Sequence, residues 1–175
     1  MQSRKWQHRS ETACLIFILD GMLGKLTRWL RMLGHDAQYS AGLNDTELLT
    51  IARSEKRTLL TRDLALFQKA MAKGIEAYYV EGSTEPERLS ELSVRFGIPL
   101  AIDLTKSRCP KCNSKLAVAP KEKIAEKVQK NTLLYYNEFW SCPNCGAVYW
   151  QGAHWTKIRV TLEEAKEKRK KKESV

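Results

Sequence analysis

Two Cys-x-x-Cys turns constrain this chain more than anything else in it. Cys109-Pro-Lys-Cys112 and Cys142-Pro-Asn-Cys145-Gly are separated by 29 residues. Four thiolates at this spacing make a closed tetrahedral Zn2+ site, so two distant loops must meet at one point. A Pro after the first Cys of each pair, and Gly146 after the last, suit tight metal-binding turns. Two disulfides or a redox pair are the competing readings, and structural disulfides are rare inside cells. Because protein fills all four positions, the expected zinc is structural rather than catalytic. The fifth cysteine, Cys14, falls in an apolar run and is expected in the core.

The chain around these turns is basic and aromatic. Residues 106–160 carry ten basic and three acidic side chains, a charge of +7. Residues 14–105 carry −1, while residues 1–13 and 161–175 carry +2 each. A near-neutral body joined to a basic module points to a polyanionic partner, most often nucleic acid. Tyr135, Tyr136, Phe139, Trp140, Tyr149, Trp150 and Trp155 lie among Lys111, Lys115, Lys121, Lys123, Lys127 and Lys130. Aromatic faces beside a positive groove hold single-stranded nucleic acid. A small zinc domain also needs aromatics for its own core, so most are expected inside and one or two outside. His154 is a candidate phosphate contact or a turn residue.

Before residue 106 the pattern alternates. Leu15 to Leu19 reads as a buried strand ending at Asp20, and a helix follows with Leu23, Leu26, Leu30 and Leu33, stopped by Gly34. Lys25, Arg28 and Arg31 recur at three-residue spacing on one side of that helix, which beside Asp20 is either a place to hold or cut a phosphodiester or simply a solvated face. His35 to Tyr39 suits a second strand. Asn44 and Glu47 make a capping box for a helix over 45–54. A third strand within 57–61 ends at Arg62-Asp63, with a helix over 64–72; a strand over 77–80 and a helix over 86–96 follow. A short extended piece at 100–102 closes this part. Strands alternating with short helices specify an α/β fold with a parallel sheet flanked by helices.

That topology delivers three acids to one place. Asp20 and Asp63 directly follow strands, and Asp45 opens the helix after another. Right-handed crossovers bring the carboxyl ends of parallel strands to one edge, where open α/β sheets hold ligands. Acids at helix starts are also ordinary caps. Three carboxylates together repel unless a divalent cation neutralises them, and hard oxygens suit Mg2+ or Mn2+.

The run Leu19-Asp20-Gly-Met-Leu-Gly-Lys-Leu-Thr-Arg-Trp-Leu-Arg-Met-Leu-Gly34, then Asp45-Thr-Glu-Leu-Leu, then Leu-Leu-Thr-Arg-Asp63, resembles the PIN-like "Mut-seven C-terminal" RNase domain family. Arg108-Cys-Pro-Lys-Cys-Asn113 and Cys142-Pro-Asn-Cys-Gly-Ala-Val-Tyr-Trp-Gln-Gly-Ala-His154-Trp155 match the zinc ribbon that follows the PIN-like part in that family. The resemblance spans about residues 15–158. It implies a PIN-like three-layer sheet over 14–105 and a zinc ribbon over 106–160. Residues 1–13 would form a flexible basic arm and 161–175 a basic charged tail. It further implies a metal-dependent ribonuclease with Asp20, Asp45 and Asp63 as its acids. Typical members of the wider class gather about four, and Glu47 and Asp103 are the candidates for the fourth.

The expected function is therefore RNA cleavage by metal-activated water. Lys25, Arg28, Arg62, Lys111 and His154 would contact the RNA. The alternative is a non-catalytic protein that binds RNA or the ribosome through the basic ribbon and tails. A zinc-ribbon transcription or DNA-repair factor is a third class. No apolar run approaches the roughly 18 residues of a membrane span, and residues 1–13 are polar and basic, so a cytoplasmic protein is expected.

Overall fold

The computed structural model describes residues 14–173; the arm expected over 1–13 lies outside them. Four short strands, β1 (Ile16–Leu19), β2 (Asp36–Tyr39), β3 (Thr58–Thr61) and β4 (Ala77–Tyr79), form one parallel sheet in the order β2-β1-β3-β4. Residues 100–102 add no strand to it. The chain leaves β1 towards β2 through α1 (Gly24–Met32), then crosses back to β3 through α2 (Asp45–Ser54) and on to β4 through α3 (Leu64–Ala72). Helix α4 (Glu85–Phe96) follows β4. The reversal of direction occurs between β1 and β3, and there the connections leave to opposite faces and open a crevice.

The layers follow from strand periodicity, which sends successive side chains to opposite faces. Phe17 and Leu19 face a core shared with Leu23, Leu26 and Leu30 and with Leu89 and Leu92 of α4. Ile18 and Leu59 face the other core, with Leu48, Leu49 and Ala52 of α2 and Leu66 and Ala70 of α3. This is the three-layer parallel sheet expected from the sequence. Cys14 departs from expectation. It precedes β1 and is exposed, with Sγ 3.5 Å from Gly34 O.

The late segment builds a second, three-stranded antiparallel sheet from β5 (Ala117–Val118), β6 (Trp140–Ser141) and β7 (Val148–Tyr149), in sequence order. Its lysine-rich insertion holds two short helices, α5 (Lys121–Ile124) and α6 (Lys130–Tyr135). Phe139, Ile124 and Val128 form its small core, and Tyr136 and Trp150 pack against it. Tyr135 is the exposed aromatic of the insertion, at 81%. The charged stretch from residue 161 is the second half of a long helix, α7 (His154–Glu173). Its Leu162 and Ala165 belong to the α1–α4 core, and Lys168 and Arg169 reach Glu87 and Ser93 of α4.

Candidate metal centre and acidic edge

The two cysteine turns fold alike. In the first, Cys109 N donates to Ser114 O and Asn113 N to Cys109 O; in the second, Cys142 N donates to Ala147 O and Gly146 N to Cys142 O. The residue after each second cysteine is left-handed, with φ of 70° at both Asn113 and Gly146. Gly and Asn are the residues that tolerate this conformation best. The four sulfurs lie within 4.8 Å of one another. Cys109 and Cys145 are 3.6 Å apart, and Cys112 and Cys142 3.3 Å, so each close pair joins the two turns. A tetrahedron with metal–sulfur bonds of about 2.3 Å has sulfurs about 3.8 Å apart. The donor set therefore fits a zinc ion. Backbone donation from Ser114 pulls the Cys112 thiol down, and burial pushes Cys142 up. Two sulfurs this close resist carrying two negative charges unless a cation stands between them. Tyr149 OH lies 3.1 Å from Cys109 Sγ and braces the set from outside.

The ribbon is tied to the sheet by polar contacts that local sequence does not disclose. Arg31, which its spacing groups with Lys25 and Arg28 on one basic face, is buried. Its Nε donates to Ala37 O on β2 at 2.8 Å, and its Nη1 to Pro110 O and Lys111 O in the first cysteine turn at 2.9 and 3.2 Å. Asn113 accepts from Ala37 N and donates to Asp36. Asp36 also meets Arg57 at 2.7 Å and Arg108 at 3.5 Å. Their cations, with the Asn113 amide, hold its carboxyl below the usual range despite burial. Edge strand β2 is thus covered by the first cysteine turn, a standard way to remove an unpaired strand edge. Gly34, at φ +91°, permits the approach: a Cβ there would lie 3.2 Å from Lys106 O.

At the opposite end of the sheet, Asp20 is buried at the carboxyl end of β1. Its Oδ1 accepts from Met22 N at 2.8 Å, and its Oδ2 from Thr61 Oγ1 and from Arg62 N at 3.0 Å. Thr61 Oγ1 in turn accepts from Asp63 N at 2.9 Å. Asp63 caps α3 through Leu66 N. Lys69, one turn and a half along α3, donates to Asp45 at 2.8 Å and is also drawn towards Asp63, so its pKa is raised. Contacts therefore join Asp20 through Thr61 to the backbone of Asp63, and Lys69 to Asp45, along one edge, with Asp63 acting on Lys69 through charge alone. Thr61 and Lys69 were not singled out in the sequence; a hydroxyl ending a buried strand just before an Arg-Asp pair was the available signal for Thr61.

The other candidates divide between the two ends. Arg62 Nη1 donates to Gly82 O at 2.6 Å, across the ends of β3 and β4. Lys25 and Arg28 are exposed on α1. Lys111 and His154, both exposed, belong to the ribbon and the start of α7, away from the acids. Glu47 is used by the capping box with Asn44. Asp103 is used by Thr105 and Lys106 in the linker. A carboxylate that sequence reasoning missed is Glu91 on α4. It is buried, and desolvation raises its pKa. It accepts from Glu81 N and Gly82 N at 3.2 Å each. Gly82 has no room for a side chain, since a Cβ would lie 2.7 Å from Arg88 N. Glu91 thereby fixes the loop whose carbonyl holds Arg62. Among the described residues, the four cysteines are the group of three or more His, Cys, Asp or Glu side chains placed to share one ion.

A doubly wound parallel sheet joined to a ribbon whose four cysteines could hold a metal ion defines an α/β protein with a candidate metal site. The family model described as Mut7-C RNAse domain matches residues 16–162, and the chain belongs to that family. Membership supports a ribonuclease-like role with RNA as the substrate class. No curated protein and no solved structure matches the chain. Among the described residues, no helix is long and apolar enough to cross a membrane.

Proposed function

We propose that this protein is a metal-dependent endoribonuclease whose cleavage site is the crevice beyond β1 and β3. The observation that carries the reading is the placement of Asp20, Asp63 and Asp45 at the carboxyl edge beside a topological switch point, with Thr61 joining Asp20 to the Asp63 backbone and Lys69 pairing with Asp45. These three carboxylates would hold Mg2+ or Mn2+. Asp63 Oδ2 and Asp45 Oδ1 accept no hydrogen bond among the described residues, which leaves hard oxygen donors open. A bound ion of this kind supplies activated water and neutralises charge developing on the phosphate.

The chain's own groups set the geometry. Three donors fix the plane of Asp20 and leave about one of its four lone-pair directions free. Lys69 offsets the repulsion between Asp45 and Asp63. Arg62, held by Gly82 O, and Lys25 and Arg28 along α1 would position the phosphate backbone. The zinc ribbon, with Lys111 and His154, would grip RNA further along. The proposed targets are cytoplasmic RNAs, ribosomal RNA included.

The test is cleavage of labelled RNA with Mn2+ or Mg2+ by wild type, Asp20→Asn and Asp63→Asn. Wild type should cleave, and each variant should lose more than the roughly 10–100-fold expected for an outer-shell partner. Equal cleavage by all three sinks the site. A second reading has its own support, because every acid has a hydrogen-bonding partner without metal. Absent cleavage with salt-sensitive RNA binding intact would favour a non-catalytic RNA- or ribosome-binding protein.

A further inference from the structure

We infer that a cleft at the seam of sheet and ribbon is a sequence-tolerant nucleobase site, which anchors single-stranded RNA away from the acidic edge; this rests on RNA being the substrate class. The cleft holds about 290 Å3. Met32, Leu104, Tyr149, Trp150, His154 and Trp155 are among its lining. Three aromatic side chains around one opening suit a flat, polarisable ligand.

Three polar side chains of the cleft are already engaged. Arg108 Nη1 donates to Asn113 O at 2.9 Å, and its Nη2 lies 3.5 Å from Asp36. Ser107 Oγ donates to Met32 O at 2.6 Å, and Tyr149 OH meets Cys109 Sγ. What remains for a ligand is the aromatic faces, and beside them the His154 imidazole and the indole N–H groups of Trp150 and Trp155. Stacking of this kind accepts any base, because every base has a π-face.

Charge selects RNA over an apolar partner. Lys106, Lys111 and Lys157 are exposed and adjoin the lining residues Ser107, Pro110 and Ile158 in the chain. The nearby Asp103 is occupied by Thr105 and Lys106. A base in the cleft would place its phosphates among cations, whereas a neutral peptide would gain nothing from them.

The position has a consequence for cleavage. Helix α1 starts just beyond Asp20, at the carboxyl edge, and ends at Met32, beside the amino end of the sheet. Nine helical residues span about 13 Å, with Lys25 and Arg28 exposed along the way. A base held at Met32 would set a fixed offset of a few nucleotides between anchor and cut.

The test uses zinc-loaded full-length protein without added Mg2+ or Mn2+, and fluorescein-labelled oligouridylate and oligoadenylate, followed by anisotropy. Both RNAs should bind with similar affinity. Met32→Trp, which fills the cleft, should weaken both by roughly 5- to 100-fold, the loss of one stacked base, with Tm unchanged. Trp155→Ala should weaken them likewise and serves as the second variant if Met32→Trp unfolds. Unchanged affinity in both variants overturns the inference. So does an apolar dye held in the cleft that RNA cannot displace, which would assign it to an apolar partner. Cleft-dependent binding without any cleavage in Mn2+ would leave this site standing and remove the nuclease reading. Cleavage by Met32→Trp with unaltered KM would do the reverse.

Discussion

The two candidate metal sites of this molecule are built on opposite principles. At the ribbon, four sulfurs stand within 4.8 Å of one another, and as thiolates they repel unless a cation stands between them. At the acidic edge, each carboxylate is satisfied locally: Asp20 by Thr61 and two backbone N–H groups, Asp63 by Leu66 N, Asp45 by Lys69. The first site is part of the fold and the second is grafted onto it. Metal loss should therefore unfold one region and merely silence the other.

The largest expected effect follows from that contrast. Structural zinc sites contribute about 10–16 kcal/mol of apparent binding free energy, so Cys109→Ser or Cys142→Ser should abolish stoichiometric zinc and melt the ribbon. Arg31 and Asn113 couple the first turn to β2, so hydrogen exchange should also rise at Asp36–Tyr39. Unchanged zinc content in both variants would reject the four-thiolate site. Removing Mg2+ or Mn2+ should leave Tm nearly constant while cleavage stops.

Arg31→Ala should rank next. It strips donors from three carbonyls at a buried seam, a loss of about 2–4 kcal/mol, read as a lower denaturant midpoint with zinc retained. A midpoint equal to wild type would mean that Asn113 and Arg108 hold the seam without Arg31.

Acid should act on the same seam. His35 is buried, its Nδ1 accepts from Leu15 N at 3.2 Å, and burial lowers its pKa to about 4. The unfolded chain binds this proton at about 6.5. Stability from neutral His35 is therefore full above pH 6.5 and is lost as pH falls towards 4, by about 3 kcal/mol. His35→Phe should flatten that part of the pH–stability curve; a curve of wild-type slope would place the acid sensitivity elsewhere.

The smallest effect belongs to the acidic edge. Lys69→Ala removes an exposed ion pair, which at about 0.15 M salt should leave Tm unchanged within error. It should nevertheless alter the Mn2+ dependence of cleavage, because Asp45 and Asp63 lose the cation between them. A large fall in Tm would show that the edge is structural after all.

Much of the molecule was legible before its fold was known. Helices α2 and α3 begin and end where Asn44, Asp63 and their apolar spacing place them. The cysteine turns and the parallel sheet also follow from local pattern. Arg31 was not legible. Its three-residue spacing with Lys25 and Arg28 marks a basic helix face, yet its partners Pro110 and Lys111 lie some 80 residues away. Cys14 misled for a related reason, since an apolar neighbourhood in sequence does not reveal where a strand starts. Residues 161–173 read as a charged, tail-like helix, and only the fold shows Leu162 and Ala165 in the α1–α4 core and Lys168 and Arg169 on α4.

By itself, the sequence determined the two cysteine turns, the alternation of strands and helices, and the three acids at strand and helix ends. These are short-range matters of ligand spacing, hydrophobic period and capping. Tertiary structure decided which acids share partners, that Glu91 and Arg62 meet at Gly82, and that the ribbon covers the β2 edge. Those contacts depend on side chains brought together from distant elements, where long-range packing, not local propensity, sets which donor meets which acceptor.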